Sequence, residues 1–185
     1  MNPKAAELSI RELQIEDLDP LIAYWTQADP VFLTNMGVDL SKMPKESEWR
    51  AFLSKQLTQA YNEKESYCLI WLLNSQAVGH SNISKISFGE KAYMHLHLWK
   101  PDHRTKGLGI QFVQKCIPVF FKNMELKELY CEPYALNPGP NKLLKKIGFN
   151  FVHQYTGIPG WLNFEQEVNL WQLTKENYLN LKENW

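Results

Sequence analysis

Between a strand-like segment and an amphipathic one, the chain places Arg104-Thr105-Lys106-Gly107-Leu108-Gly109, whose residue types suit the capture of a phosphate or pyrophosphate. A helix that starts there leaves the N–H groups of its first turn without intrahelical acceptors. Those donors and the positive end of the helix dipole favour an anion. Gly107 and Gly109 permit close backbone approach, and Arg104 and Lys106 add charge. Glycine pairs at such junctions also serve simply to make the turn. Two other phosphate loops are excluded: no Gly-Lys-Ser/Thr follows at Walker A spacing, and the three glycines of an early βαβ dinucleotide fingerprint are missing.

A second group of residues suits proton transfer. His95 and His97 alternate along one apolar-polar segment and so share a face. Imidazole titrates near neutral pH, which fits a base acting on an amine; the other reading is a histidine paired within a polar sheet face. Glu132-Pro133 ends a later strand, where the carboxylate either serves an acceptor or accepts hydrogen bonds from loop backbone. Cys68, Cys116 and Cys131 are far apart and sit among apolar neighbours, which reads as buried free thiols in a reducing cytoplasm. Closely spaced Cys/His pairs are absent, so no zinc site or other metal is expected.

The elements that must position these groups follow from periodicity. Leu8–Leu13 alternates as a half-buried strand, and Asp19-Pro20 opens a helix through Trp25 that Asp29-Pro30 breaks. Trp49, Phe52, Leu53, Leu57 and Tyr61 recur at helical spacing from about Lys45. Tyr67–Leu73 is apolar on both faces, and Asn74-Ser75 turns it into a strand from Gln76 to Ser84 with Gly79 as a bulge. Ala92–Trp99 sets Met94, Leu96 and Leu98 on one face and Tyr93, His95, His97 and Trp99 on the other. A helix from Leu108 to about Lys122 carries Phe112, Val113, Cys116, Ile117, Phe120 and Phe121 as its apolar stripe, with a kink expected at Pro118. A strand at Leu126–Glu132, a helix at Pro140–Ile147 stopped by Gly148, and strands near Phe149–Tyr155 and Glu167–Leu173 complete an α+β pattern.

With 185 residues, no repeat and no linker, one domain over 1–185 is expected. Twenty basic and twenty acidic side chains argue against a nucleic-acid binder, and no apolar run reaches a membrane span. The N-terminal segment has no apolar core of the kind a secretory signal needs.

Arg104 to Gly109 resembles the Arg/Gln-x-x-Gly-x-Gly/Ala signature of the GNAT superfamily of N-acetyltransferases, and Asn137 followed eleven residues later by Gly148-Phe149 resembles its second motif. The resemblance covers essentially the whole chain. It implies a single mixed, mostly antiparallel sheet of about six or seven strands, splayed in the middle, with helices on both faces. It also implies acetyl-CoA as co-substrate. The pantetheine arm would pair with backbone near Leu98 and Trp99. The pyrophosphate would rest on the N–H groups from Thr105 to Ile110, and Lys142 or Lys145 would reach the adenine-side phosphate. Asn137 would bind the arm or hold its loop. One departure stands out: where the family often places a tyrosine as general acid, this chain has Leu144.

The activity implied is acetyl transfer to a primary amine by direct attack, the amine belonging to a protein N-terminus or a small molecule, with the protein a monomer or homodimer. His95 resembles the functional histidine of arylalkylamine and siderophore-type branches. Glu132-Pro133 resembles an acidic-residue-proline pair of aminoglycoside-type relatives, although Tyr134 stands where the siderophore branch has aspartate. His95 and Glu132 are thus the candidate catalytic residues, and His97, Tyr134 and Trp161 the candidate acceptor contacts. The rival reading is a non-catalytic CoA-binding sensor or interaction module on the same fold.

Overall fold

The computed structural model describes residues 6–100 and 107–185. Seven strands form one sheet: β1 (Leu8–Glu12), β2 (Tyr67–Leu73), β3 (Gln76–Ser87), β4 (Lys91–Leu98), β5 (Glu128–Cys131), β6 (Asn150–Gly157) and β7 (Gln166–Thr174). Their order is β1-β2-β3-β4-β5-β7-β6, with β4 and β5 parallel and every other pair antiparallel. Among the described residues six α-helices accompany them: α1 (Leu18–Thr26), α2 (Pro30–Asn35), α3 (Glu46–Thr58), α4 (Leu108–Asn123), α5 (Pro138–Ile147) and α6 (Lys175–Leu181).

The run of apolar residues in β2 is explained by its position. Tyr67, Leu69 and Trp71 enter a core shared with α4, α5 and α6, whereas Cys68 and Ile70 enter a second core shared with α1, α2 and α3. The stripe read from the sequence of α4 is the stripe that is buried, and α4 runs on past Pro118 to Asn123. Burying side chains of this size contributes roughly 1.5–3 kcal/mol each. Asp29-Pro30 does more than break a helix. Asp29 Oδ1 accepts from the Val31 N–H at 2.7 Å and Pro30 takes the first helical position, so the pair starts α2.

Two irregularities shape the centre of the sheet. At Gly79 a Cβ would stand 2.4 Å from the His97 carbonyl oxygen, so β3 and β4 approach as they do because no side chain intervenes. Between β4 and β5 only three residues pair, from Lys91 opposite Glu128 to Tyr93 opposite Tyr130. Past that point the Cys131 thiol donates to the Met94 carbonyl at 3.0 Å while β4 continues to Leu98. The sheet therefore parts in the middle, as the resemblance implied, with helices on both faces.

Candidate active site

The parted strands and the start of α4 make one end of the site. Gly107 is the N-cap of α4 with φ of 73°, a left-handed conformation that favours glycine, and it brings no side chain to cap the helix. Leu108, Gly109 and Ile110 form its first turn, which contains no acidic residue, so their N–H groups are suited to an anion. Gly109 lies against α5, where an added Cβ would sit 3.2 Å from Leu143 Cδ1. Arg104, Thr105 and Lys106 lie outside the described residues.

A cavity of about 480 Å³ opens beside the gap, lined from β3, β4, β5 and the loop after β6. His95 and His97 both line it, as their alternation required. His95 Nε2 shares a hydrogen bond with Ser84 Oγ at 2.8 Å. Burial above all, helped by the Lys85 charge and opposed by Glu132, lowers its pKa to about 4. The ring is therefore neutral at pH 7. His97 Nδ1 lies 3.1 Å from the Tyr24 hydroxyl, and its ring stacks on His80 at 4.7 Å. Burial holds His97 well below its ordinary value and His80 at about 3, each with a smaller contribution from a neighbouring imidazole. Trp99 Nε1 donates to His80 Nδ1 at 2.8 Å. Its backbone N–H goes to the Val78 carbonyl at 3.0 Å, so any pairing of Trp99 with a CoA arm runs through its carbonyl.

Glu132 stands across the gap from His95 in a small polar cluster. Lys85 Nζ lies 2.9 Å from its carboxylate, and the Tyr155 hydroxyl donates to it at 2.5 Å. Burial and this contact with Glu132 push the Tyr155 phenol up, so it stays protonated. Lys85 has φ of 47° and follows Ser84 where the β3–β4 register shifts. That irregularity lets two consecutive residues, Ser84 and Lys85, face the cavity where strict alternation would allow one. Lys85 also sits 4.6 Å over the Tyr93 ring.

Of the remaining sequence candidates, Tyr134 and Asn137 line the cavity, and Trp161 stands at its edge, 58% exposed and 5.5 Å from Trp49. Asn137 Oδ1 accepts from the Gly139 N–H at 3.3 Å, an N-cap for α5 that holds the loop. Lys142 and Lys145 are exposed on α5. Leu144 is fully buried in the core and has no access to a leaving group. Asn141 escaped notice in the sequence, yet it gathers the Trp171 indole N–H and the Asn169 amide at 2.9 Å each and donates to the Tyr134 and Asn137 carbonyls. His80, Lys85 and Tyr155 were missed for one reason: each reaches the site through strand register, which carries no local sequence signal.

Among the described residues no His, Cys, Asp or Glu side chains gather in threes as a metal would require, and no helix is long and apolar enough to cross a membrane.

Solved structures with this fold include a spermidine N-acetyltransferase from Vibrio cholerae in complex with CoA and spermine. It has a TM-score of 0.76 and 16% identity, covering 94% of this chain and 98% of that one. The ribosomal alpha-N-protein acetyltransferase RimL in complex with coenzyme A has a TM-score of 0.74 and 12% identity, covering 92% and 95%. An uncharacterised protein from Bacillus halodurans has a TM-score of 0.72 and 13% identity, covering 97% and 90%. No curated protein sequence matches the chain. A family model described as an acetyltransferase (GNAT) domain matches residues 7–150, which take in the first five strands, the parted centre of the sheet, α4 and α5. The chain belongs to the GNAT acetyltransferase family.

Proposed function

We propose that this protein, as one domain over 1–185, transfers the acetyl group of acetyl-CoA to a primary amine by direct attack. The observation that carries the reading is the junction of three features: the gap between β4 and β5, the glycine-started first turn of α4, and a cavity whose wall presents a neutral His95. CoA pyrophosphate would lie on the N–H groups from Thr105 to Ile110, among them Gly107, Leu108 and Gly109, with Arg104 and Lys106 adding charge. Its pantetheine arm would run along Leu98 and Trp99, and Lys142 would reach the adenine side.

In the reaction the amine nitrogen forms a bond to the thioester carbonyl carbon, the C–S bond breaks, and CoA leaves as a thiolate. Bond formation makes the attacking N–H strongly acidic, so even a weakly basic imidazole such as His95 is competent to take its proton. Glu132, held by Lys85 and Tyr155, sets the charge opposite that base. Leu144 supplies no acid, so the thiolate departs and is protonated from solvent. Named acceptors among the structural neighbours, spermidine and a ribosomal protein, are both amines, which supports the reaction class. Three buried free thiols fit a reducing cytoplasm, and the protein works as a monomer or homodimer.

Thermal unfolding with and without acetyl-CoA, with ATP and NAD as controls, tests the donor. A ligand that binds only the folded state raises its midpoint by mass action, by about 2.7 kcal/mol of stability at a hundredfold excess over Kd. A rise with acetyl-CoA alone is the expected outcome; none, in folded protein, removes the proposal.

A further inference from the structure

We propose that the acceptor is a small amine carried on an aromatic or branched apolar body, seated along a row of rings from His97 to Trp161, and that the same cavity rejects polyamines. This rests on the transfer reading above and adds the class of substrate.

The row is continuous. His97 meets Trp25 edge-on at 4.9 Å, Trp25 stacks on Trp49 at 5.8 Å, and Trp49 meets Trp161 at 5.5 Å. All four line the cavity; Trp25 and Trp49 are also packed into the core beneath it, whereas Trp161 stands 58% exposed. An apolar body laid along this wall covers the exposed Trp161 ring, fills an apolar cavity over Trp25 and Trp49, and places its amine toward the neutral imidazoles. Neutrality matters: charged histidines would repel an incoming ammonium, whereas burial keeps His80, His95 and His97 uncharged at pH 7. Lys85 and Glu132 are the charges that face His95, and they pair with each other.

Polyamines need something this lining lacks. Each added ammonium taken into a cavity loses its hydration, and the strongest compensation is a carboxylate of its own. The lining carboxylates are Glu65 and Glu132, and each is already paired, Glu65 with Lys55 and Glu132 with Lys85. Peptides are disfavoured by the wall. The segment after β6 is tied to the one after α2 by the Asp39 N–H to the Leu162 carbonyl at 2.8 Å, Lys42 Nζ to the Asn163 carbonyl at 2.6 Å, and Asn163 Nδ2 to the Gly37 carbonyl at 2.8 Å. Leu162 and Asn163 line the cavity, so these bonds hold that part of its wall in place against the widening a peptide chain would need.

The experiment measures kcat/KM for phenethylamine, tryptamine, spermidine and a short peptide with a free N-terminus, alongside binding of each to CoA-loaded protein by calorimetry. The expected result is a preference for the arylalkylamines of about tenfold or more over spermidine and the peptide. Trp161→Ala, at an exposed site, raises KM for the arylalkylamines by about tenfold with kcat little changed, and Trp161→Phe restores most of the loss. Lys85→Met, which releases Glu132, shifts the preference toward spermidine. Preference of the unmodified protein for spermidine or the peptide overturns the inference and leaves acetyl transfer standing. An unchanged KM in Trp161→Ala also overturns it. Binding of arylalkylamines without turnover of any amine keeps the acceptor class and removes the transfer reading; neither binding nor turnover removes both.

Discussion

His95 and Glu132 illustrate how far a side chain's chemistry is set by what it touches. Both were chosen from the sequence for their acid-base capacity, and both line the cavity. Their partners could not be read there: Ser84 on His95, Lys85 and Tyr155 on Glu132. These partners divide the roles. The Glu132 oxygens are already engaged by a lysine and a phenol, whereas His95 is a neutral imidazole beside a hydroxyl. His95→Ala is therefore expected to lower kcat about a hundredfold while acetyl-CoA binding persists. The ratio of wild-type to variant kcat/KM should stay level as pH falls past 6.5 and drop only toward about 4, because burial and Lys85 hold the ring down. A drop centred near 6.5 would mean that the His95 ring titrates at its ordinary value and is not held down by its surroundings.

Elements with strong periodicity were legible, and those set by capping or long-range pairing were not. β2 was read to its end residues because an apolar run on both faces has few other uses. α2 was hidden because Asp29-Pro30 signals both the end of one helix and the start of another. β3 extends to Ser87, beyond the Ser84 limit seen in the sequence, and the extra residues include the Lys85 irregularity that builds the site. Gly79 was read as a bulge from its type alone. The register does shift opposite it, after Trp71, and the closer reason for glycine is the His97 carbonyl. Gly79→Ala should cost roughly 1–3 kcal/mol in chemical denaturation, since a methyl group there forces β3 from β4. An unchanged midpoint would mean that the two strands yield without strain.

Over the whole molecule, the α+β class follows from the sequence pattern, and the two-sided sheet parted at its centre follows from the family resemblance of Arg104 to Gly109 and Asn137 to Phe149. What brought His80, His95 and His97 together was β3–β4 register, with His80 opposite His97 and Asn82 opposite His95. Their joint desolvation has a global effect. An unfolded chain protonates these rings near 6.5, whereas the folded protein resists until about 4 for His95 and about 3 for His80. Stability fully present above 6.5 is thus lost as pH falls through that window, with uptake of about two to three protons on unfolding. Thermal midpoints taken from neutral pH downward should fall through this range more steeply than in a His97→Gln variant. Parallel curves would show that the rings titrate normally.

The strand order also bears on how the protein is made. β7 lies between β5 and β6 although it follows both in the chain, and it brings Trp171 and Asn169 to Asn141. During translation β1 to β4 can pair as each emerges, because they are neighbours in both sequence and space. The far side of the sheet cannot close until residue 174 has left the ribosome. Until then β5 has only its three-residue contact with β4, and Asn141 has no indole to hold. Synthesis therefore leaves the gap between β4 and β5 open-sided until late, and the cavity beside it lacks Gln166 of its lining until β7 arrives.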